Sequence, residues 1–107
     1  MGKIIRVWYG LAKNNHANDY GEHVKNDIFP LLAKMRGNLG AKVLRRDVDE
    51  GVEFAVITAW NSIEAIREFA KEDLDKAVVA EVAQSYFIKY DKQVSHFIVD
   101  SEMGNFD

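Results

Sequence analysis

Between Lys3 and Gly10 the chain is short, rich in Ile, Val, Trp and Tyr, and closed by glycine, a pattern that predicts a strand. Alternation puts Ile5, Val7 and Tyr9 on one face and Ile4, Arg6 and Trp8 on the other. Both faces are largely apolar, so both call for a cover. Ala12 to His16 is polar and turn-like, with Asn14 and Asn15 as helix caps. From Ala17 to Met35 the period lengthens, and Tyr20, Val24, Ile28, Leu31, Leu32 and Met35 recur at helical spacing. Pro30 lies inside this run. Lacking an N–H and clashing with the preceding turn, it predicts a kink or a break into two helical pieces, with Gly37 closing the element.

Leu39 to Arg46 and Glu53 to Trp60 return to strand character, joined by a charged segment, 47–51, that ends in glycine. An antiparallel hairpin follows. Phe54, Val56, Thr58 and Trp60 share one face; Ala55, Ile57 and Ala59 share the other. Asn61 or Ser62 caps a second helix, Asn61 and Glu64 having capping-box spacing, and Ile63, Ile66, Phe69 and Ala70 form its apolar stripe. Asp73 is placed to cap a further short helix carrying Leu74, Ala77 and Val78. Tyr86 to Tyr90 is apolar but irregular, Gln93 to Val99 reads as the last strand, and residues 100–107 read as a frayed tail of a single domain spanning 1–107.

The order strand, helix, strand, strand, helix, strand defines an α+β ferredoxin-like antiparallel sheet with helices on one face. The other face, with Ile5, Val7, Tyr9, Ala55, Ile57 and Ala59, is then left apolar and open. A second copy is the simplest cover, which predicts a homodimer of the α/β barrel type.

Composition narrows the chemistry. No cysteine is present, so disulfides and thiolate metal sites are excluded. A net charge of -3 offers no footprint for nucleic acid, and the basic cluster of Lys42, Arg45 and Arg46 is followed at once by Asp47, Asp49 and Glu50. No apolar run approaches a membrane span, and Arg6 interrupts the N-terminus too early for a signal peptide, so the expectation is a cytoplasmic protein.

Several segments together resemble the antibiotic biosynthesis monooxygenase family: residues 6–10 (Arg-Val-Trp-Tyr-Gly), 35–41 (Met-Arg-Gly-Asn-Leu-Gly-Ala), 57–65, 69–73 and 94–99. The resemblance implies a dimeric ferredoxin-like barrel with a pocket between sheet and helices. It also implies either cofactor-free oxidation of aromatic substrates by molecular oxygen or, in another branch, haem degradation. Trp60 matches a tryptophan that lines the substrate pocket of the cofactor-free oxygenases, whereas their substrate-binding asparagine is Val56 here. The haem branch's asparagine, tryptophan and histidine fall on Trp8, Phe69 and Val79, so all three are lost. No metal, flavin or haem is therefore expected.

The candidate site residues follow. Trp60, Trp8 and Phe69 form an aromatic slot for a flat ligand or else a filled core. His96 and Arg6 are the polar candidates for catalysis. His96 shares a strand face with Val94 and Ile98 and acts as base or donor, or is a satisfied structural histidine. Arg6, on the face of Trp8, polarises an anionic ligand oxygen or pairs with Glu53 or Asp73. His16 and His23 lie two helical turns apart, too far for a shared metal. The reading that uses these residues is a cofactor-independent monooxygenase acting on a quinol or polyphenol. The alternatives are a dimer that binds a small aromatic molecule without chemistry and a purely structural dimer.

Overall fold

The computed structural model describes residues 2–104. Its sheet has the order β2-β3-β1-β4, where β1 is Ile4–Ala12, β2 Asn38–Val48, β3 Gly51–Trp60 and β4 Phe87–Tyr90; β5 (Ser95–Ile98) also pairs with β1. All pairings are antiparallel. β4 and β5 share the free edge of β1, β4 along Gly10 to Ala12 and β5 along Ile4 to Val7. The irregular segment at Tyr86 to Tyr90 is thus a strand, and the sheet has five strands where the sequence pattern predicts four.

The hairpin is tighter than expected: β2 and β3 run to Val48 and Gly51, leaving Asp49 and Glu50 as a two-residue turn. At the other end of β2 the register slips between Asn38 and Gly40, where Gly40 has φ +143° and Asn38 Oδ1 accepts the Gly40 N–H at 3.0 Å. This bulge needs the glycine, because a side chain is strained at that angle.

Helical structure runs from α1 (Ala17–His23) through a π-helical segment, Val24–Ile28, into α2 (Phe29–Ala33) without a break. Pro30 therefore neither splits nor ends the helix. It supplies no N–H to the turn before it, and the ladder widens there, with Phe29 N donating to Val24 O. The helix stops at Ala33; Gly37, at φ +86°, belongs to the connection instead, and its carbonyl accepts from Asn61 N at 2.9 Å. α3 (Ile63–Ala70) is capped by Ser62, whose Oγ accepts the Ala65 N–H at 3.1 Å. The helix expected after Asp73 does not form. Asp73 Oδ1 accepts from Asp75 N at 3.2 Å in a local turn, the chain continues as a strap over residues 71–80, and the next helix, α4, is Glu81–Gln84. That side-chain bond competes with helix formation.

Ile4, Arg6 and Trp8, with Phe54, Thr58 and Trp60, lie beneath the helices and are buried. On the opposite face Ile5, Val7, Ala55, Ile57 and Ala59 are half-buried and Tyr9, Leu44 and Phe97 exposed. The core divides into two clusters, one around Trp8, Tyr20, Phe54 and Phe87, the other around Trp60, Leu32 and Ile66. Residues 100–104 have no regular structure, although Glu102 meets Lys3 at 3.1 Å; 105–107 of the expected tail lie outside the described residues.

Candidate functional site

A cleft opens between the sheet, the π-helical turn and the strap, and its empty space, mouth included, is about 600 Å³. That figure includes open solvent; the cavity itself is about 60 Å³, below the usual range of small-molecule sites. Trp8 and Val56 form part of its floor, Phe69 comes from α3, and Val78, Val79 and Ala80 of the strap close it from above. The strap leaves room because the residues it turns to the cleft, Val78, Val79 and Ala80, are small or β-branched.

Arg6 lines the same cleft and is 4% exposed. Its expected partners are wrong: Glu53 pairs instead with Arg46, at 2.6 Å, and Arg6 reaches backbone carbonyls of the strap. Nη1 donates to Leu74 O at 2.7 Å and Nη2 to Lys76 O at 2.8 Å, while Nη1 also meets His96 Nε2 at 3.0 Å. A carboxylate on a flexible side chain is not needed when two carbonyls in a turn present themselves at fixed spacing. Of the five guanidinium hydrogens, those bonds use three. The Nε–H and one Nη2–H have no partner among the described residues. The guanidinium also lies 5.6 Å from the centre of the Phe69 ring, over its face. Burial lowers the Arg6 pKa, with Asp75 opposing, yet guanidinium stays charged at any physiological pH.

His96 does not line the cleft. Since a guanidinium only donates, His96 Nε2 must be the acceptor, which places the ring proton on Nδ1, facing Asp75 Oδ1 at 3.4 Å. Burial, and then the charge of Arg6, push the His96 pKa below its ordinary value against the pull of Asp75. Its lone pair is already committed to Arg6.

The two tryptophans do not share a slot. Trp8 lines the cleft, its Nε1 donating to Asp91 O at 2.7 Å and its ring edge-on to Phe87 at 5.3 Å. Trp60 is not among the lining residues; it is fully buried in the second cluster, its Nε1 bound to Thr58 Oγ1 at 2.8 Å and its ring 5.8 Å from Phe69. The reason is the cover: α3 packs down on the end of β3, and the strap adds only Leu74 there.

Two further residues line the cleft: Tyr20, whose phenol the sequence offers to a pocket, and His23, which the sequence gives no place there. Tyr20 lines it from α1, and burial raises its phenol pKa. His23 lines it as well, its side chain 8% exposed and its Nδ1 2.9 Å from Asp27 Oδ2. The i,i+4 pairing with Asp27 is visible in the sequence; that the pair stands at a cleft is not.

The topology defines a ferredoxin-like α+β domain with a cleft between sheet and helices. The chain belongs to the antibiotic biosynthesis monooxygenase family, whose profile matches residues 4–81. Among solved structures it is similar to a candidate antibiotic biosynthesis monooxygenase from Bacillus cereus, at TM-score 0.70 and 19% identity over 98% of this chain and 100% of that one. It is also similar to SnoaB, a cofactor-independent oxygenase from Streptomyces nogalater, at TM-score 0.65 and 14% identity over 98% and 100% of the two chains. A heme-degrading protein from Mycobacterium tuberculosis matches at TM-score 0.61 and 17% identity over 97% and 98%. At these identities the likeness speaks for the fold. No curated protein sequence matches the chain.

The positions that the resemblance pairs with the haem branch, Trp8, Phe69 and Val79, all line the cleft. Val79 nevertheless offers iron no ligand. The residues present at those three places do not fit haem.

Proposed function

We propose that the protein is a cofactor-independent monooxygenase that takes a small aromatic quinol or polyphenol into this cleft. The observation that carries the reading is a buried guanidinium with two uncommitted N–H donors at the edge of a mainly apolar cavity. Such a group favours an ionised aromatic oxygen, and an ionised phenol gives up electrons to dioxygen far more readily than a neutral one. The overall conversion replaces a ring C–H and the phenol O–H by two carbonyls; one dioxygen atom enters the ring and the other leaves as water with both hydrogens. The substrate supplies the electrons. Arg6 holds the oxygen, Trp8 and Phe69 flank the ring, and His96 acts through Arg6 as a positioning residue.

The test has a binding arm and a turnover arm. A naphthoquinone is expected to quench tryptophan fluorescence through Trp8: Trp8→Phe removes the response, and Trp60→Phe leaves it. Oxygen consumption with the reduced naphthoquinone is expected above the autoxidation rate. Quenching without excess oxygen consumption would leave the binding-protein reading, which the loss of the family's asparagine at Val56 favours. Protein as purified is expected without a Soret or flavin band.

A second copy is proposed to cover the apolar open face of the sheet, supported by the exposure of Tyr9, Leu44 and Phe97 there. Sedimentation at micromolar concentration should give a dimer, and Ile57→Asp should split it; wild-type protein sedimenting only as a monomer would count against the barrel.

A further inference from the structure

We propose that His23, oriented by Asp27, is the group that takes the substrate's proton in this cleft. The inference rests on the proposed function and adds the base that it lacks. The step is a plain proton transfer. The phenol O–H bond breaks, its electron pair stays on oxygen, and the proton goes to His23 Nε2, giving an imidazolium that keeps its Nδ1–H on the Asp27 carboxylate.

Geometry selects His23 over the other histidines. Its Nδ1 is 2.9 Å from Asp27 Oδ2, and a carboxylate acceptor there puts the neutral ring's proton on Nδ1. Nε2 is then the free base, and it has no partner among the described residues. Asp27 is itself 65% exposed, so the Nδ1 edge faces outward, while the rest of a ring that is only 8% exposed lies against the cleft. His96 has its lone pair on Arg6 and does not reach the cavity. His16 also pairs with a carboxylate, Asp19 at 2.9 Å, but its ring stacks on Tyr86 and it does not line this cleft. A histidine–aspartate pair on a helix is ordinary; one whose histidine lines an aromatic cleft is not.

The surroundings agree with that role. The titratable and charged groups lining the cleft with His23 are Tyr20, on the same helix, and Arg6, on β1; the strap, α4 and β3 contribute no ionisable side chain to it. Tyr20, 6.1 Å from His23 between ring centres, has its phenol pKa raised by burial and so stays protonated. It does not compete as a base. His23 also stands at the start of the π-helical turn, a distortion that recurs at functional sites because it re-aims side chains.

The test uses 4-nitrophenol, whose neutral and ionised forms absorb at different wavelengths, so proton transfer is read without turnover. Bound to wild-type protein, the phenol is expected to ionise at lower pH than it does free in solution. In His23→Gln it should bind but titrate as the free phenol does, and Asp27→Asn should fall between the two. Reduced naphthoquinone oxidation should slow about 100-fold in His23→Gln. Binding retained with ionisation unchanged in both variants overturns the dyad and leaves the cleft standing, as does a wild-type complex that holds the phenol un-ionised. Should His23→Gln fail to fold, the exposed Asp27→Asn alone decides in the same way. A wild-type protein that binds no phenol overturns the cleft's proposed function and the dyad together.

Discussion

Trp8 and Trp60 stand on the same face of the same sheet, on paired strands, and only one of them borders empty space. Above Trp60 lies α3, a regular helix whose Ile66 and Ala65 are buried against it together with Leu32. Above Trp8 lies the strap, held to the sheet by its backbone: Leu74 O and Lys76 O on Arg6, Ala77 N on Lys92 O at 2.9 Å, and Asp75 O on Val94 N at 2.8 Å. A helix delivers a dense stripe of side chains every turn, whereas an extended strap fixed by its carbonyls delivers few. A cavity here is made by what the cover cannot fill, not by what the sheet presents.

The largest effect is expected at Trp60. Trp60→Ala is expected to cost about 3–5 kcal/mol, because nothing can collapse into the sealed cluster, and a fall in the urea midpoint would measure it. Trp8→Phe should cost much less while abolishing the quinone response. Equal losses of stability at the two sites would show that the cleft is as tightly packed as the core.

Gly10 sharpens the contrast from the other side. A Cβ there would lie 2.6 Å from Trp8 Cη2 and 2.7 Å from Phe87 Cε1, so Gly10→Ala must push both rings. The expected cost is about 1–3 kcal/mol, together with reduced quinone quenching and no change in the fluorescence of Trp60. A spectrum altered at both tryptophans would mean that the two clusters repack as one.

The smallest effect belongs to pH. His96 is held below its ordinary value of 6.5, by burial first and the Arg6 charge second, so the folded protein binds this proton more weakly than the unfolded chain does. The sign follows: its contribution to stability is complete above the unfolded value and is lost as pH falls through the folded one. Urea midpoints should therefore decline as pH drops below about 6.5, and His96→Gln, which keeps an acceptor for Arg6 but cannot titrate, should flatten that part of the curve. An unchanged slope in His96→Gln would assign the decline elsewhere.

Alternation along residues 3–10 and 53–60 determined by itself which side chains share a face, because a strand's period of two is a property of the extended chain. The hairpin, the helix at Ile63–Ala70 and the family resemblance were legible for the same kind of reason: each is written in adjacent residues. Pro30 announced a disturbance but not its form, since whether a helix breaks or widens depends on whether both halves gain by packing on one sheet. The failure of a helix at Asp73 was likewise not local; Arg6, 68 residues from Leu74, claims the carbonyl that a helix would need. Only the tertiary structure decided that Trp60 is sealed while Trp8 borders a cleft, and that His23 reaches that cleft while His96 serves Arg6. Periodicity reports which side of an element is apolar, but what lies opposite is set by contacts between distant residues.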